Sequence, residues 1–137
     1  MIRAADNNGI IPVTRGETTI LAAEPDPVES ARLSRSLVLL GYSPETAASA
    51  DGVLELIRRR MYERAVIAIE LTWQGKPVVV RLARLPSVRE VVALGPAGDP
   101  EMETLARLSG ADAYLARPVT IESLSKVLWV PAFGKLA

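Results

Sequence analysis

Carboxylates and cationic side chains are the groups with which this chain could do chemistry, because its 137 residues contain neither His nor Cys. That composition excludes thiol catalysis, Cys/His zinc sites and any mechanism that needs a His base. A metal site would have to be built from oxygen ligands alone. Three acidic residues follow apolar runs, namely Glu24, Asp26 and Glu70, and the cation Arg117 precedes Pro118. These positions are the first candidates for a functional site.

Short apolar runs that alternate with helical patterns predict the elements that would position these groups. The alternation begins at Thr18 and is typical of βαβ units around a parallel sheet that is covered on both faces. We expect five strands and five helices in strict alternation. The predicted strands cover residues 18–23, 42–48, 65–71, 91–94 and a short stretch around Tyr114 and Leu115.

Capping residues mark where three of the helices begin. Asp26 is suited to be the N-cap of the first helix, with Pro27 as its first residue and Glu29 completing a capping box. Asp99 and Thr120 are predicted to cap two later helices in the same manner. Residues 77–85 are expected to form a short helix of their own.

Bulk composition indicates one soluble globular domain. Hydrophobic residues make up 49% of the chain, and 16 basic residues balance 16 acidic ones, so no net charge draws it to nucleic acid or to an anionic membrane. No stretch approaches the ~20 apolar residues of a membrane span, and we expect a cytoplasmic protein. We divide the chain into an arm or linker at 1–17, a domain at 18–128 and a tail at 129–137.

Three segments resemble the receiver (CheY-like) domains of bacterial response regulators. ILAAEPDPVESARL is similar to the family's first strand, acidic turn and first helix, and AVIAIEL to its phosphoacceptor strand. SGADAYLARPVTIESL is similar to the fifth strand and the Lys-Pro turn. The resemblance implies a flavodoxin-like, doubly wound (βα)5 fold with a five-stranded parallel sheet in the order 2-1-3-4-5.

The same resemblance implies that the phosphorylation site is degenerate. A working receiver holds Mg²⁺ with two acidic residues after its first strand and an Asp phosphoacceptor, and this chain has Glu24 followed by Pro25, and Glu70 instead of the Asp. Gly95 replaces the Ser or Thr that binds the phosphoryl group, and Arg117 replaces the Lys. Because metal ligand, nucleophile and phosphate donor are altered together, we expect no bound metal, no cofactor and no enzymatic activity.

Individual residues keep alternative interpretations. Asp26 is favoured as a helix cap over a metal ligand. Glu70 is either a permanent substitute for a phosphorylated Asp or a solvated carboxylate. Tyr114, at the position of the family's switch aromatic, is either that switch or a packed strand residue. Trp73 either anchors a partner or packs on its own loop.

We interpret the chain as a pseudo-receiver, a phosphorylation-independent interaction domain whose partner is a kinase, an effector domain or another regulator. A homodimer through the fourth helix, fifth strand and fifth helix is also expected, and sedimentation that shows only monomer would contradict it. The residues that suggest this surface are Met102, Glu103, Arg107, Asp112 and Lys126.

Two other functions stay open. One is an atypical receiver that accepts a phosphoryl group with Mg²⁺. The other is a nucleic-acid-binding regulator, for which a solvated basic face is the favoured alternative. The arginines concerned are Arg58, Arg59, Arg60, Arg64, Arg81 and Arg84. The tail with Trp129, Val130 and Phe133 is expected to dock on the domain, link to an effector or form a dimer seam.

A final prediction joins Glu70 to Arg117. Both residues follow central strands at the same edge of a doubly wound sheet, so their side chains should converge. A guanidinium can hold a carboxylate with two parallel hydrogen bonds. A distance above about 4 Å between the Glu70 side-chain oxygens and the Arg117 guanidinium would contradict the prediction. Tyr114 is then expected to turn inward over the space that Gly95 leaves.

Overall fold

Five parallel strands form the central sheet in a computed structural model that describes residues 18–131. The strands of the main sheet are β1 (Thr19–Ala23), β2 (Ser43–Ala47), β3 (Arg64–Ala68), β6 (Glu90–Gly95) and β7 (Ala113–Ala116). Their order across the sheet is β2-β1-β3-β6-β7, and a separate two-stranded hairpin lies between β3 and β6 along the chain. The hairpin consists of β4 (Thr72–Trp73) and β5 (Lys76–Pro77). Counted within the main sheet, this is the predicted 2-1-3-4-5 order, and the predicted fold class is confirmed.

Five helices alternate with the strands of the main sheet. They are α1 (Pro27–Leu39), α2 (Ala50–Arg59), α3 (Val79–Ala83), α4 (Pro100–Leu108) and α5 (Ile121–Val127). Strands β1 and β3 are buried along their whole length, as expected for central strands with helices on both faces. Strand β2 lies at the edge and contains Pro44, which an edge strand tolerates.

Two apolar clusters, one on each face of the sheet, form the core. On one face Val53 of α2 and Val79 and Leu82 of α3 pack against the sheet. On the other face Leu37 of α1 and Leu124 of α5 do so. The helices are therefore held by burial of one apolar side each, and the loops at the strand ends are free to carry polar side chains.

The cap of α1 differs in one bond from the prediction. Asp26 accepts hydrogen bonds from the backbone N–H groups of Val28 and Glu29 at 2.8 and 3.1 Å, as an N-cap should. In a capping box the Asp26 N–H would donate to the Glu29 side chain. Here it donates to Glu24 Oε2 at 2.9 Å instead. Glu29 Oε1 instead lies 3.8 Å from Arg32 Nε. The predicted capping box through Glu29 is wrong, since Glu24 already occupies that donor.

The reciprocal box occurs at α5. There Thr120 and Ser123 each accept from the other's backbone N–H. Asp99 caps α4 by accepting from Met102 N–H at 3.1 Å. Both helix starts agree with the sequence prediction.

Two predicted boundaries are corrected around Glu70. The third strand ends at Ala68, not Leu71, because Leu71 N–H bonds back to the Ala68 carbonyl and turns the chain out of the sheet. The chain then forms the hairpin, which the sequence analysis did not predict. The following helix spans Val79–Ala83, shorter than the predicted 77–85, since Lys76 and Pro77 belong to β5.

The start of the predicted tail packs on the domain. Val130 is buried, and Trp129 lies against Arg64 with the guanidinium carbon 4.8 Å from the ring centroid. The arm at 1–17 and the tail residues from 132, including Phe133, lie outside the described residues. Between residues 18 and 131, no helix combines the length and apolar character that a bilayer crossing requires.

Candidate functional site

The candidate site lies at the carboxyl ends of the parallel strands. Glu24 follows β1, Glu70 comes two residues after β3, Gly95 ends β6 and Arg117 follows β7. Neighbouring parallel strands deliver their carboxyl ends to one edge, so residues far apart in sequence meet there. The residues that the sequence analysis singled out for chemistry are brought together at this edge.

Arg117 bridges two carboxylates and is the centre of the site. Its Nη1 and Nη2 donate to the two oxygens of Glu70 at 2.8 and 2.7 Å. Its Nε donates to Glu24 Oε1 at 2.8 Å. The predicted pair between Glu70 and Arg117 is confirmed, with the two-pronged geometry that a guanidinium allows and an ammonium does not. The bond to Glu24 was not predicted, and we call the three residues together the Arg117 bridge.

Burial differs across the bridge. The Glu24 side chain is 1% exposed, that of Arg117 19% and that of Glu70 39%. Hydrogen bonds from Arg117 lower the pKa of Glu70 below its usual value, and partial burial opposes them. The hydrogen bonds to Glu70 likewise raise the pKa of Arg117. Glu70 and Arg117 are thus charged at neutral pH, and the inner end of the bridge at Glu24 is shielded from water.

Glu24 has both oxygens engaged. Oε1 accepts from Arg117, and Oε2 accepts from the Asp26 N–H. Asp26 in turn uses Oδ1 to cap α1, as the favoured interpretation had it. The acidic turn after β1 is therefore arranged for internal hydrogen bonds, and Pro25 between the two acids contributes no oxygen ligand.

These residues do not fit a magnesium ion. Mg²⁺ needs near-octahedral oxygen ligands at about 2.0 to 2.1 Å. Glu24 and Glu70 both face the Arg117 guanidinium, whose positive charge would repel a cation placed between them. Within residues 18–131 no group of three acidic, His or Cys side chains is placed to hold a metal ion. The arrangement of these side chains therefore disfavours binding of the Mg²⁺ that a working receiver holds.

Tyr114 fills the space beside Gly95. A Cβ at position 95 would lie 2.7 Å from Tyr114 Cε1 and 2.8 Å from Cζ, closer than real Cβ contacts come. The Tyr114 hydroxyl donates to the Pro96 carbonyl at 2.7 Å. The expected inward position of Tyr114 is present, and Gly95 is the residue that permits it.

The five residues of the predicted interaction surface have mixed roles. Met102 packs partly against the core, and Asp112 accepts from Val91 N–H at 2.8 Å, so both have internal contacts. Glu103 and Arg107 pair with each other at 3.1 Å on the surface of α4. Lys126 is exposed in the last turn of α5. The use of this surface for dimerisation stays a prediction.

Exposed leucines on α4 were missed. Leu108 is 83% exposed and Leu105 39% exposed. Their spacing of three residues places them on one side of the helix, which helical periodicity could have indicated. Any interface that uses α4 would include them.

The arginines of the proposed basic face do not form one stripe. Arg64 is buried and bonded to Glu90 at 2.6 Å. Arg58 and Arg59 both pair with Glu55, and Arg60 pairs with Glu45. The single basic face considered for nucleic acid is therefore absent, because carboxylates within residues 18–131 neutralise most of it.

Trp73 packs on its own surroundings. It is half-buried against the core cluster, and Arg81 lies over its ring at 4.7 Å from the centroid. Trp73 therefore packs on its own surroundings, while its use as a partner anchor stays a prediction. The hairpin that carries Trp73 is the part of the site's neighbourhood that the sequence analysis did not foresee.

Solved receiver domains share this architecture. The chemotaxis response regulator CheY4 of Vibrio cholerae matches with a TM-score of 0.69 at 19% identity, over 81% of this chain and 98% of that one. A response regulator from Burkholderia pseudomallei, solved with a phosphorylated aspartic acid, a calcium ion and citrate, matches with 0.67 at 23% identity over 85% and 69%. NtrX from Brucella abortus matches with 0.70 at 22% identity over 86% of this chain and 26% of its own.

These likenesses are structural. No protein-family sequence model and no curated protein sequence matches the chain. The chain therefore has the fold of response regulator receiver domains, the fold used in two-component signalling. Because these sequence identities lie between 19% and 23%, the likeness shows the fold, and the chemistry is argued from the residues of the site.

Proposed function

We propose that this chain is a pseudo-receiver, a non-enzymatic protein-interaction domain that works in two-component-type signalling without a phosphorylation cycle. The observation that carries the proposal is the Arg117 bridge. One guanidinium holds both Glu24 and Glu70, the carboxylates at the positions where the family binds metal and accepts phosphate. A nucleophile neutralised by a bidentate ion pair and without metal is poorly placed for in-line phosphoryl transfer.

The bridge and Tyr114 together favour one resting conformation. Arg117 is fixed by three hydrogen bonds, and Tyr114 is bonded to Pro96 over a glycine that offers no side-chain donor. In this proposal Glu70 takes the place of a permanently phosphorylated residue, because its carboxylate engages the cation of the Lys-Pro position. The domain would then keep the conformation that a partner recognises without being phosphorylated.

The proposed partner is another signalling protein, such as a kinase, an effector domain or a second regulator. In NtrX the matching region covers only 26% of the chain, so in that protein the receiver fold accompanies other segments. The same proposal places this domain in the cytoplasm. A homodimer through α4, β7 and α5 belongs to the proposal as one form of partnership.

The test is a titration with Mg²⁺ and with beryllofluoride, followed by amide chemical shifts. We expect no saturable change at Glu24, Glu70 or Gly95 at millimolar concentration, because Arg117 competes for both carboxylates. The matched control is the variant Pro25→Asp/Glu70→Asp/Arg117→Lys, which restores the family's acidic pair, acceptor and lysine and is expected to gain a Mg²⁺-dependent shift. Saturable shifts at these residues in the natural chain would overturn the proposal in favour of an atypical phosphoreceiver.

A further inference from the structure

A cationic patch surrounds Trp73 on the hairpin that follows Glu70. Lys76 of β5 and Arg81 and Arg84 at α3 line a cavity of about 220 Å³ together with Trp73. A second cavity of about 400 Å³ shares Trp73 and Arg81 and is bordered by Arg58 of α2. We call Trp73, Lys76, Arg81 and Arg84 the hairpin patch.

The cations of the hairpin patch have no acidic partners within residues 18–131. No carboxylate oxygen of this range lies within 4.0 Å of the charged nitrogens of Lys76, Arg81 or Arg84. The exposed arginines nearby contrast with this, since Arg58 and Arg59 share Glu55. Three neighbouring cations are thus left without an ion pair, on a chain whose formal net charge is zero. Such a cluster of cations attracts anionic groups and orients them on approach.

Arg81 is already ordered for binding. Its guanidinium carbon lies over the indole, 4.7 Å from the ring centroid, and Trp73 itself packs against the buried core. No acceptor among residues 18–131 takes a hydrogen bond from the Arg81 side chain. A guanidinium that is held over an aromatic ring and has unused N–H donors loses little freedom when it binds a carboxylate, which favours affinity.

We propose that the hairpin patch is the docking site for an acidic segment of a partner protein. Carboxylates of that segment would pair with Lys76, Arg81 and Arg84, and apolar side chains between them would enter the two cavities. Trp and Arg are the residue types that contribute most at protein interfaces. This inference rests on the proposed interaction function, and it names the surface and the chemistry of the partner.

The geometry favours a protein segment over a nucleotide or a nucleic acid. Arg81 covers one face of the Trp73 indole, so a base cannot stack there. The patch is also compact, whereas nucleic acid is bound by an extended basic stripe, and the neighbouring arginines of α2 are neutralised by Glu55.

The experiment uses the full chain and a fluorescein-labelled peptide of repeating Glu-Glu-Leu units, followed by fluorescence anisotropy at low salt. The test variant is Arg81→Glu/Arg84→Glu, and the matched control is Arg32→Glu/Arg35→Glu, the same charge change on exposed positions of α1. Trp73→Phe is a second test that keeps an aromatic ring in the core contact. Circular dichroism confirms that each variant is folded.

We expect saturable binding that the test variant weakens about tenfold and the α1 control less than about twofold. The indole N–H resonance of Trp73 should shift with peptide, and that of Trp129 should not. Absence of saturable binding, or equal weakening by both double variants, would overturn the proposal. Tighter binding of a duplex DNA oligonucleotide to the same patch at the same salt would overturn it too. The titration with Mg²⁺ and beryllofluoride reports on the pseudo-receiver function separately, so failure of the docking proposal and failure of the proposed function are distinguishable.

Discussion

Each end of the central sheet carries an arginine shared between two carboxylates. At the carboxyl ends Arg117 joins Glu24 and Glu70, which lie 93 and 47 residues away in sequence. At the amino ends Arg64 of β3 bonds Glu90 of β6 at 2.6 Å and reaches Glu63 at 3.4 Å.

The two bridges join the sheet in different ways. Arg64 and Glu90 are direct register partners on adjacent strands, and Trp129 covers the guanidinium. Arg117 instead reaches from the loop after β7 across to the loops after β3 and β1. The first bridge holds two strands and the start of the tail together, and the second fixes where three loops lie.

Stability and geometry are therefore divided between the two ends. The Arg64 side chain is 10% exposed and is bonded to Glu90 under Trp129, so its loss should destabilise the whole domain. The outer half of the Arg117 bridge is partly in water, where ion pairs contribute little to stability. The outer pair of Glu70 and Arg117, which contributes little stability but fixes where two loops lie, suits a surface for recognition.

The largest expected effect is at the amino end. Arg64→Met should lower the free energy of unfolding by about 3 kcal/mol, because it removes a buried charge and leaves Glu90 without its partner. Urea denaturation with Trp fluorescence measures the loss. The control is Arg107→Met, which breaks an exposed Arg–Glu pair of α4 and should cost about 0.5 kcal/mol or less. Equal losses in the two variants would mean that the amino-end bridge is no more than a surface contact.

A smaller effect is expected where Tyr114 meets Gly95. Gly95→Ala should cost about 2 kcal/mol, because the new Cβ collides with the Tyr114 ring and displaces it. In a Tyr114→Ala background the same substitution should cost almost nothing. The difference between the two backgrounds, obtained by urea denaturation as a double-mutant cycle, measures the coupling. If Gly95→Ala costs the same in both, Tyr114 does not depend on the glycine.

Sequence periodicity located the strands and helices of the main sheet, because its central strands are continuous apolar runs and its helices begin at recognisable caps, whereas the strand order followed from the resemblance to receiver domains. The pair between Glu70 and Arg117 was also predictable, since the topology alone brings those two strand ends together. The contact of Arg117 with Glu24 was not, because it depends on how far one long side chain extends across the sheet. Sequence shows which loops meet, and side-chain conformation decides which atoms do.

The hairpin was missed for a different reason. Its strands have two residues each, too few for alternation to show. A signal existed in Gln74-Gly75, which forms the two-residue loop with φ angles of 53° and 77°, as a type I′ turn requires. Arg64 was likewise grouped with surface arginines, since nothing in its sequence neighbourhood reveals that Glu90 is its partner across the sheet.

The smallest expected effect separates geometry from stability at the carboxyl end. Glu70→Gln keeps the shape of the side chain but removes its charge and one of the two bonds to Arg117. At neutral pH we expect a loss of about 1 kcal/mol in the free energy of unfolding, because the pair is partly exposed. The pH dependence has a definite sign. Since the pKa of Glu70 is lowered in the folded protein, its contribution is fully present above the usual value of 4.5 and is lost as pH falls through the lowered pKa.

The difference between the natural chain and Glu70→Gln should accordingly be constant from neutral pH down to about pH 5 and shrink below it. Urea denaturation at a series of pH values measures this. Glu103→Gln on α4 is the control, since Glu103 pairs with Arg107 at 3.1 Å on an open surface. The position of the Tyr114 ring is followed separately by its NMR resonances in the folded variants without urea. These resonances should shift in Glu70→Gln and stay unchanged in Glu103→Gln. A stability difference that persists unchanged into acid, or a Tyr114 ring that does not respond, would mean that the outer half of the bridge holds nothing in position.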